Sequence, residues 1–334
     1  MKKLICLLSL IGIVTIAPFN TAVSADAKKP TYILRFGHVN TEKDPYSKAF
    51  LDWAEQVSIK TKGDVKIEVY PSSQLGVEED AIEQMRQGAN VGWNSDAARL
   101  GNYVNEIAVM NAPYFVDNLD EVQKLLSSKV IAGLEKQLEE KAGIKVLSFA
   151  YVQGYRNILA HKPIRNPKDA SGLVFRSPGA PIWMESVRSL GVSPIAMPKG
   201  EVYSALQTKN IDGVDDTYTS AHSQSVYEVV KYISETQHIL LMNFSICSAE
   251  WFNGLPPEYQ KIVKDEADAA GMRVSKEIQS INEEAKKKIA ASGVQIIPHS
   301  EIDVKAFKES GIKAYEKLNL LGIRDKIYAE IGKK

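Results

Sequence analysis

From Tyr32 onward, short runs rich in β-branched and aromatic residues alternate with stretches that carry apolar residues at helical spacing. That alternation restricts the chain to an α/β class with largely parallel sheets. Tyr32 to Val39 reads as a first strand, and Pro45 to Ile59 follows with Phe50, Trp53 and Val57 on one helical face. Val65 to Tyr70 is a second strand. Glu78 to Gln87 is a helix, with acidic residues in its first turn and Gly88 behind it, as the helix dipole and C-cap preferences favour. Val91 to Ser95 is a third strand, Glu121 to Lys141 a single charged helix, and Ile144 to Tyr151 a buried strand. A second series begins near Gly154, with strands at Leu173 to Arg176, Ser193 to Met197 and Ile211 to Asp215. Helices from about Ile182 to Leu190 and from Glu201 to Thr208 separate them. The apolar stretch His238 to Ser248 predicts a return crossing into the first sheet. Pro256 to Ala291 is compatible with a helix about 54 Å long, either laid across two lobes or kinked at Gly271.

The beginning of the chain carries a different message. Lys2 and Lys3 precede an apolar run from Leu4 to Ala17, and Ala22-Val23-Ser24-Ala25 offers small residues for cleavage. This is the layout of a secretory signal peptide over residues 1–25, with an apolar run short of the roughly 20 residues a spanning helix needs. Cys6 sits early in that run, not at its end, so lipid attachment is not expected. Cleavage leaves 309 of the 334 residues, more than one hydrophobic core usually serves, so two domains are expected in an exported protein. The remaining 39 basic and 41 acidic side chains give no basic surface for nucleic acid. Only Cys247 would survive cleavage, so no internal disulfide is expected.

The segment Gly172-Leu173-Val174-Phe175-Arg176-Ser177-Pro178 reads as a strand that delivers Arg176 to its C-terminal end, where open α/β sheets collect ligands. A guanidinium offers a planar fork of donors that matches a carboxylate. The alternative for Arg176 is a partly buried structural ion pair. Other chemistry is missing from the pattern. The five histidines never pair at metal-ligand spacing, and neither a nucleophile elbow, a phosphate loop nor a dinucleotide fingerprint occurs. The sequence therefore gives no reason to expect an enzyme, a metal or a cofactor.

Several motifs stand in one order along almost the whole mature chain. They are Leu34-Arg35-Phe36-Gly37-His38, Tyr70-Pro71-Ser72-Ser73-Gln74-Leu75-Gly76, Gly154-Tyr155-Arg156, the Gly172 to Pro178 segment, Met197-Pro198 leading into Glu201 to Thr208, Ile211-Asp212-Gly213, and His238-Ile239. In this the chain resembles the DctP-type solute-binding proteins of tripartite ATP-independent periplasmic (TRAP) transporters. The resemblance implies a two-lobed, Venus-flytrap architecture with crossing strands and a long helix bracing both lobes. The lobes are expected at residues 26–153 with about 242–280, and at 154–241 with about 281–334. It also implies a monomer that captures a small carboxylate-bearing solute, such as a sugar acid or a hydroxy or keto acid, and hands it to the TRAP membrane permease. An amino-acid-like zwitterion is the alternative ligand, and an exported enzyme on a two-lobed scaffold the alternative class.

By the same resemblance Arg176 pairs with the solute carboxylate and Arg156 adds a second contact. The chain departs from the family where an asparagine commonly follows the Asp-Gly turn, since Gly213-Val214-Asp215-Asp216 places Asp216 there. A carboxylate only accepts hydrogen bonds, so it suits solute hydroxyls or an ammonium; alternatively it bonds neighbouring backbone. Asn40, and Trp93 and Asp96 around the end of the third strand, are candidates from the first lobe. Tyr155, Trp183 and Tyr218 either wall the ligand or belong to the core.

Overall fold

The computed structural model describes residues 29–333, so the expected signal segment with Cys6 lies outside the described residues. Nine strands form one continuous sheet: β1 (Tyr32–Gly37), β2 (Val65–Tyr70), β3 (Val91–Asp96), β4 (Ile144–Ala160), β5 (Val174–Ser177), β6 (Ser193–Ala196), β7 (Gly213–Asp216), β8 (Tyr232–Ser248) and β9 (Gln295–Ile297). Their order is β2-β1-β3-β8-β4-β7-β5-β6, with β9 also beside β8. The pairs β1–β2, β1–β3, β5–β6 and β5–β7 are parallel, as the alternation with helices requires. The pairs made by β4 and β8 with each other and with β7 and β3 are antiparallel. Each of these two strands is 17 residues long and gives one end to each lobe. The molecule is thus two α/β lobes sharing a pair of crossing strands.

The crossing strands run further than their sequence advertised. β4 was expected to stop at Tyr151 but continues through Gly154, whose φ of +93° marks a shift in register against β8. A Cβ there would lie 2.6 Å from Asn282 Nδ2, so the position needs glycine twice over. β8 starts at Tyr232 and not at His238. The polar stretch Ser234 to Gln237 hides its beginning, because the pairing with β4 skips from Ile239 to Ser234 and leaves Glu235 to His238 bulged, with Gln237 at φ 46°.

The helix Pro257–Ala291 is unbroken over 35 residues. Val263, Ala267, Ala270, Val274 and Ile278 enter the first-lobe core, while Ala285 and Ile289 enter the second. Gly271 is a point of contact and not a kink. A Cβ there would sit 2.9 Å from Tyr151 Cδ2 and 3.0 Å from the Ala150 carbonyl carbon. One turn on, the Ser275 hydroxyl donates to Ala150 O and accepts from Val152 N, both at 2.7 Å.

One helix of the sequence reading divides into two. Leu119–Leu125 and Lys129–Ala142 are separated at Ser127 and Ser128, where the Ser128 hydroxyl caps the second helix by accepting from Ile131 N at 3.2 Å. Glu330, near the chain end, accepts from that hydroxyl and from the backbone of Lys129 and Val130. The last helix, Leu321–Ile331, therefore packs on the first-lobe core through Ile327 and Ile331. No helix among the described residues is long and apolar enough to cross a membrane.

Candidate functional site

A cavity of about 90 Å³ lies where the strand ends of the two lobes face each other. Asn40, Glu78, Asn94, Asp96 and Arg99 line it from the first lobe, and Arg176, Lys199, Asp216 and Ser220 from the second. Gln153, Arg156 and Asn243 come from the crossing strands. A larger groove of about 920 Å³ runs outside, between the helices Pro45–Lys60 and Tyr218–Ser223 and over the long helix. Among the described residues no buried unpartnered polar atom lines that groove, whereas several line the cavity. The chemistry is in the smaller space.

Arg176 is the third residue of β5 and 3% exposed. Its Nε donates to Met197 O at 2.9 Å. Among the described residues no carboxylate forms an ion pair with it. Burial, then repulsion by Arg156 and Arg99, lowers its pKa to about 10. The protein holds this cation against its preference, and an anion in the cavity would relieve both effects.

Arg156 is already committed. Its Nε donates to Asp215 Oδ2 and its Nη2 to Asp215 O, each at 2.5 Å, and its guanidinium lies 4.8 Å from the centre of the Trp183 ring. His238 Nε2 stands 3.2 Å from the same Asp215 oxygen, and its Nδ1 lies 2.8 Å from Thr236 Oγ1. Burial favours protonation of Asp215, but Arg156 and His238 outweigh it and hold the carboxyl below the usual range. Gln153 and Arg156 are three apart on a strand and both reach the cavity, which simple alternation forbids. The Gly154 bulge between them resets the alternation.

Asp216 meets an ammonium from its own chain. Lys199 pairs with Oδ2, Ser220 Oγ donates to the same oxygen at 3.1 Å, and Oδ1 accepts from Thr217 N at 2.9 Å. Burial lowers the pKa of Lys199 and the Asp216 charge opposes that shift. Sequence reasoning missed Lys199, because nothing local ties the loop after Met197-Pro198 to the end of β7.

It also missed Glu78, whose acidic run the helix dipole alone explains, and Arg99, which no motif marks. Arg99 contacts Asp96 Oδ2 at 2.5 Å, Glu79 Oε1 at 2.9 Å and Glu78 Oε2 at 3.5 Å. Glu78 is buried and accepts from Ser95 Oγ at 2.5 Å. Burial, opposed by Arg99 and reinforced by Asp96, pushes its pKa up to about 7.

Of the nine candidates from sequence, Arg176, Arg156, Asp216, Asn40, Asp96 and Trp183 line the cavity. Trp93, Tyr155 and Tyr218 do not. Trp93 points to the opposite face of β3 from Asn94 and Asp96, into the core, where only a glycine at position 37 leaves room for its ring. Tyr155, next to Arg156, faces away and donates its hydroxyl to Asp117 O. Tyr218 opens a helix and donates to Glu235 at 2.9 Å behind the cavity. Around the cavity, Asn40 Oδ1, both amide atoms of Asn94, Asn243 Oδ1 and Trp183 Nε1 have no protein partner. Each such buried atom costs about 1–3 kcal/mol if left unmet. Groups that can both donate and accept, such as hydroxyls, would meet them.

A family model described as "Bacterial extracellular solute-binding protein, family 7" matches residues 36–320. A solute-binding protein of Sulfitobacter sp. strain NAS-14.1 is 31% identical over 252 residues, 75% of this chain and 76% of that protein. A TRAP periplasmic solute-binding protein from Ochrobacterium anthropi, solved with bound L-fuconate, superimposes with a TM-score of 0.85 at 28% identity, covering 90% of this chain and 99% of that one. One from Sulfitobacter sp. NAS-14.1, solved with β-D-galacturonate, gives 0.80 at 30% identity, covering 90% and 98%.

Proposed function

The chain belongs to family 7 of the bacterial extracellular solute-binding proteins, the DctP family, and from that membership we propose that it captures a carboxylate-bearing sugar acid and delivers it to a TRAP membrane permease. The observation that carries this reading is Arg176, a buried guanidinium that faces the cavity without a carboxylate partner among the described residues. A solute carboxylate on Arg176 forms charge-assisted bonds worth about 1.5–3 kcal/mol each. Arg156, held by Asp215 and backed by Trp183, is a second donor. The unmet amides of Asn40, Asn94 and Asn243 are suited to hydroxyls further along the solute. Asp96 and Asp216 shape the charge around it through Arg99 and Lys199.

The sugar-acid reading is preferred to an amino-acid-like ligand because Lys199 already occupies Asp216 where a ligand ammonium would sit. A simple keto acid leaves the amides unmet. The solute leaves chemically unchanged. Export follows from the signal-like residues 1–25, and a monomer suffices because one chain supplies every wall of the cavity. The lobes are assigned to residues 26–153 with about 242–280, and to 154–241 with about 281–334, although the helix Leu321–Ile331 leans on the first.

Isothermal titration calorimetry with L-fuconate and D-galacturonate tests the proposal. Saturable binding is expected, with Arg176→Ala weakening it about 100-fold or more, equivalent to about 2.7 kcal/mol. Equal binding by the variant, or no binding of any sugar acid by the unaltered protein, overturns it. Nuclear magnetic resonance of the recovered solute separates binding from turnover.

A further inference from the structure

We infer that the cavity takes up its anionic solute together with a proton, carried on the Glu78 carboxyl beside Arg99. The inference rests on the sugar-acid reading of the same cavity.

Three carboxylates share the Arg99 guanidinium, and they share it unequally. Asp96 has the close contact at 2.5 Å and also caps the short helix that carries Arg99, accepting from Arg99 N at 2.9 Å. Glu79, at 2.9 Å, has a side chain 61% exposed, so water supports its charge. Glu78 is left at 3.5 Å, with a side chain only 8% exposed and one hydroxyl donor in Ser95. It also lines the cavity.

The charged groups around Glu78 come from every wall. Glu79 is on its own helix; Asp96 ends β3 and Arg99 follows it; Arg156 and Asp215 stand on the crossing strand and its neighbour; Arg176, Lys199 and Asp216 complete the second lobe. Four cations thus face five carboxylates when Glu78 is ionised, so the cluster as a whole, Glu78 included, carries a net negative charge before a solute arrives. A carboxylate docked on Arg176 adds another negative charge among buried groups, where charges interact more strongly than in bulk water. Protonating Glu78 removes one. This agrees with a carboxyl already pushed up to about 7 by burial, against the opposing pull of Arg99.

The sign of the linkage follows. A solute anion raises a carboxyl pKa that is already raised, so the solute promotes proton uptake and, reciprocally, the proton promotes solute binding. Affinity rises as pH falls through about 7 and levels off below it. The solute's own carboxyl titrates near 3.5, too low to contribute.

The test is calorimetry of D-galacturonate and L-fuconate binding at about pH 6 and about pH 8, repeated at about pH 7 in two buffers of different ionisation heat. Binding is expected to be about 3- to 10-fold weaker at the higher pH, with uptake of a fraction of a proton per solute bound, and Glu78→Gln is expected to abolish both effects. Affinity independent of pH in the unaltered protein, or a slope and proton uptake that survive Glu78→Gln, overturns the inference and leaves the sugar-acid reading intact. Failure of sugar acids to bind at any pH overturns both.

Discussion

Lys199 and Asp216 form a pair whose members fail separately. Their side chains are 15% and 3% exposed, and each has the other as its ionic partner. Breaking a buried pair by removing one member costs about 3–5 kcal/mol, because the remaining charge is stranded. Lys199→Met is therefore expected to lower the unfolding free energy of the unliganded protein by that amount, measured by denaturant titration. Lys199→Met combined with Asp216→Asn should recover most of the loss, and strictly additive losses would refute the pairing. This scale also shows what the sequence made readable. Arg176 was readable because a strand end locates an arginine at a cleft without knowledge of its neighbours, and Arg156 only through the family resemblance of Gly154-Tyr155-Arg156. Lys199, Glu78 and Arg99 were not, because their importance comes from partners supplied by other segments. Trp93 and Tyr155 misled for a related reason: a side chain one position along a strand faces the other side of the sheet. Tyr218 instead opens a helix and turns its hydroxyl to Glu235.

At the scale of elements, two glycines were harder to read than any hydrophobic pattern. Gly154 looked like a boundary and is a bulge inside β4; Gly271 left a spanning helix and a kink both open and is a contact surface inside the long helix. Gly271→Ala makes the second reading testable. Alanine favours a helix over glycine by about 1 kcal/mol, but its Cβ would press on Tyr151 and on the Ala150 backbone. Overpacking of that kind costs about 1–3 kcal/mol, so net destabilisation is expected in thermal unfolding. A higher melting temperature would show that the helix does not approach β4 so closely. The helix division at Ser127 and Ser128 was invisible for another reason. Serine at a cap and serine on a solvated helix face look alike until the Glu330 carboxylate is brought in from the chain end.

For the whole molecule, length and motif order carried the two-lobed plan, since the alternating pattern alone is equally at home in a single sheet, and a single sheet is what the hydrogen bonds form. One hydrogen bond joins the lobes beside the cavity. Asp44, buried at the start of the helix Pro45–Lys60, accepts from the Ser223 hydroxyl of the second lobe at 3.3 Å. The residues flanking this contact line both the solute cavity, through Asn40 and Ser220, and the outer groove, through Lys43 and Thr219. Ser223→Ala removes one hydrogen bond from the closed form only, and is expected to weaken solute binding about 2- to 10-fold. Small-angle scattering of the unliganded variant should show a shift toward extended shapes. Unchanged affinity and scattering would mean that the contact does not help hold the lobes together.

Because β4 and β8 each belong to both lobes, neither lobe is a contiguous stretch of polypeptide. A gene cut at the apparent boundary near Gly154 would encode two fragments, each lacking half of a shared ladder and exposing bare strand edges. Such fragments are expected to be insoluble alone and to reassemble only when produced together, so the two halves can be engineered only as one indivisible piece.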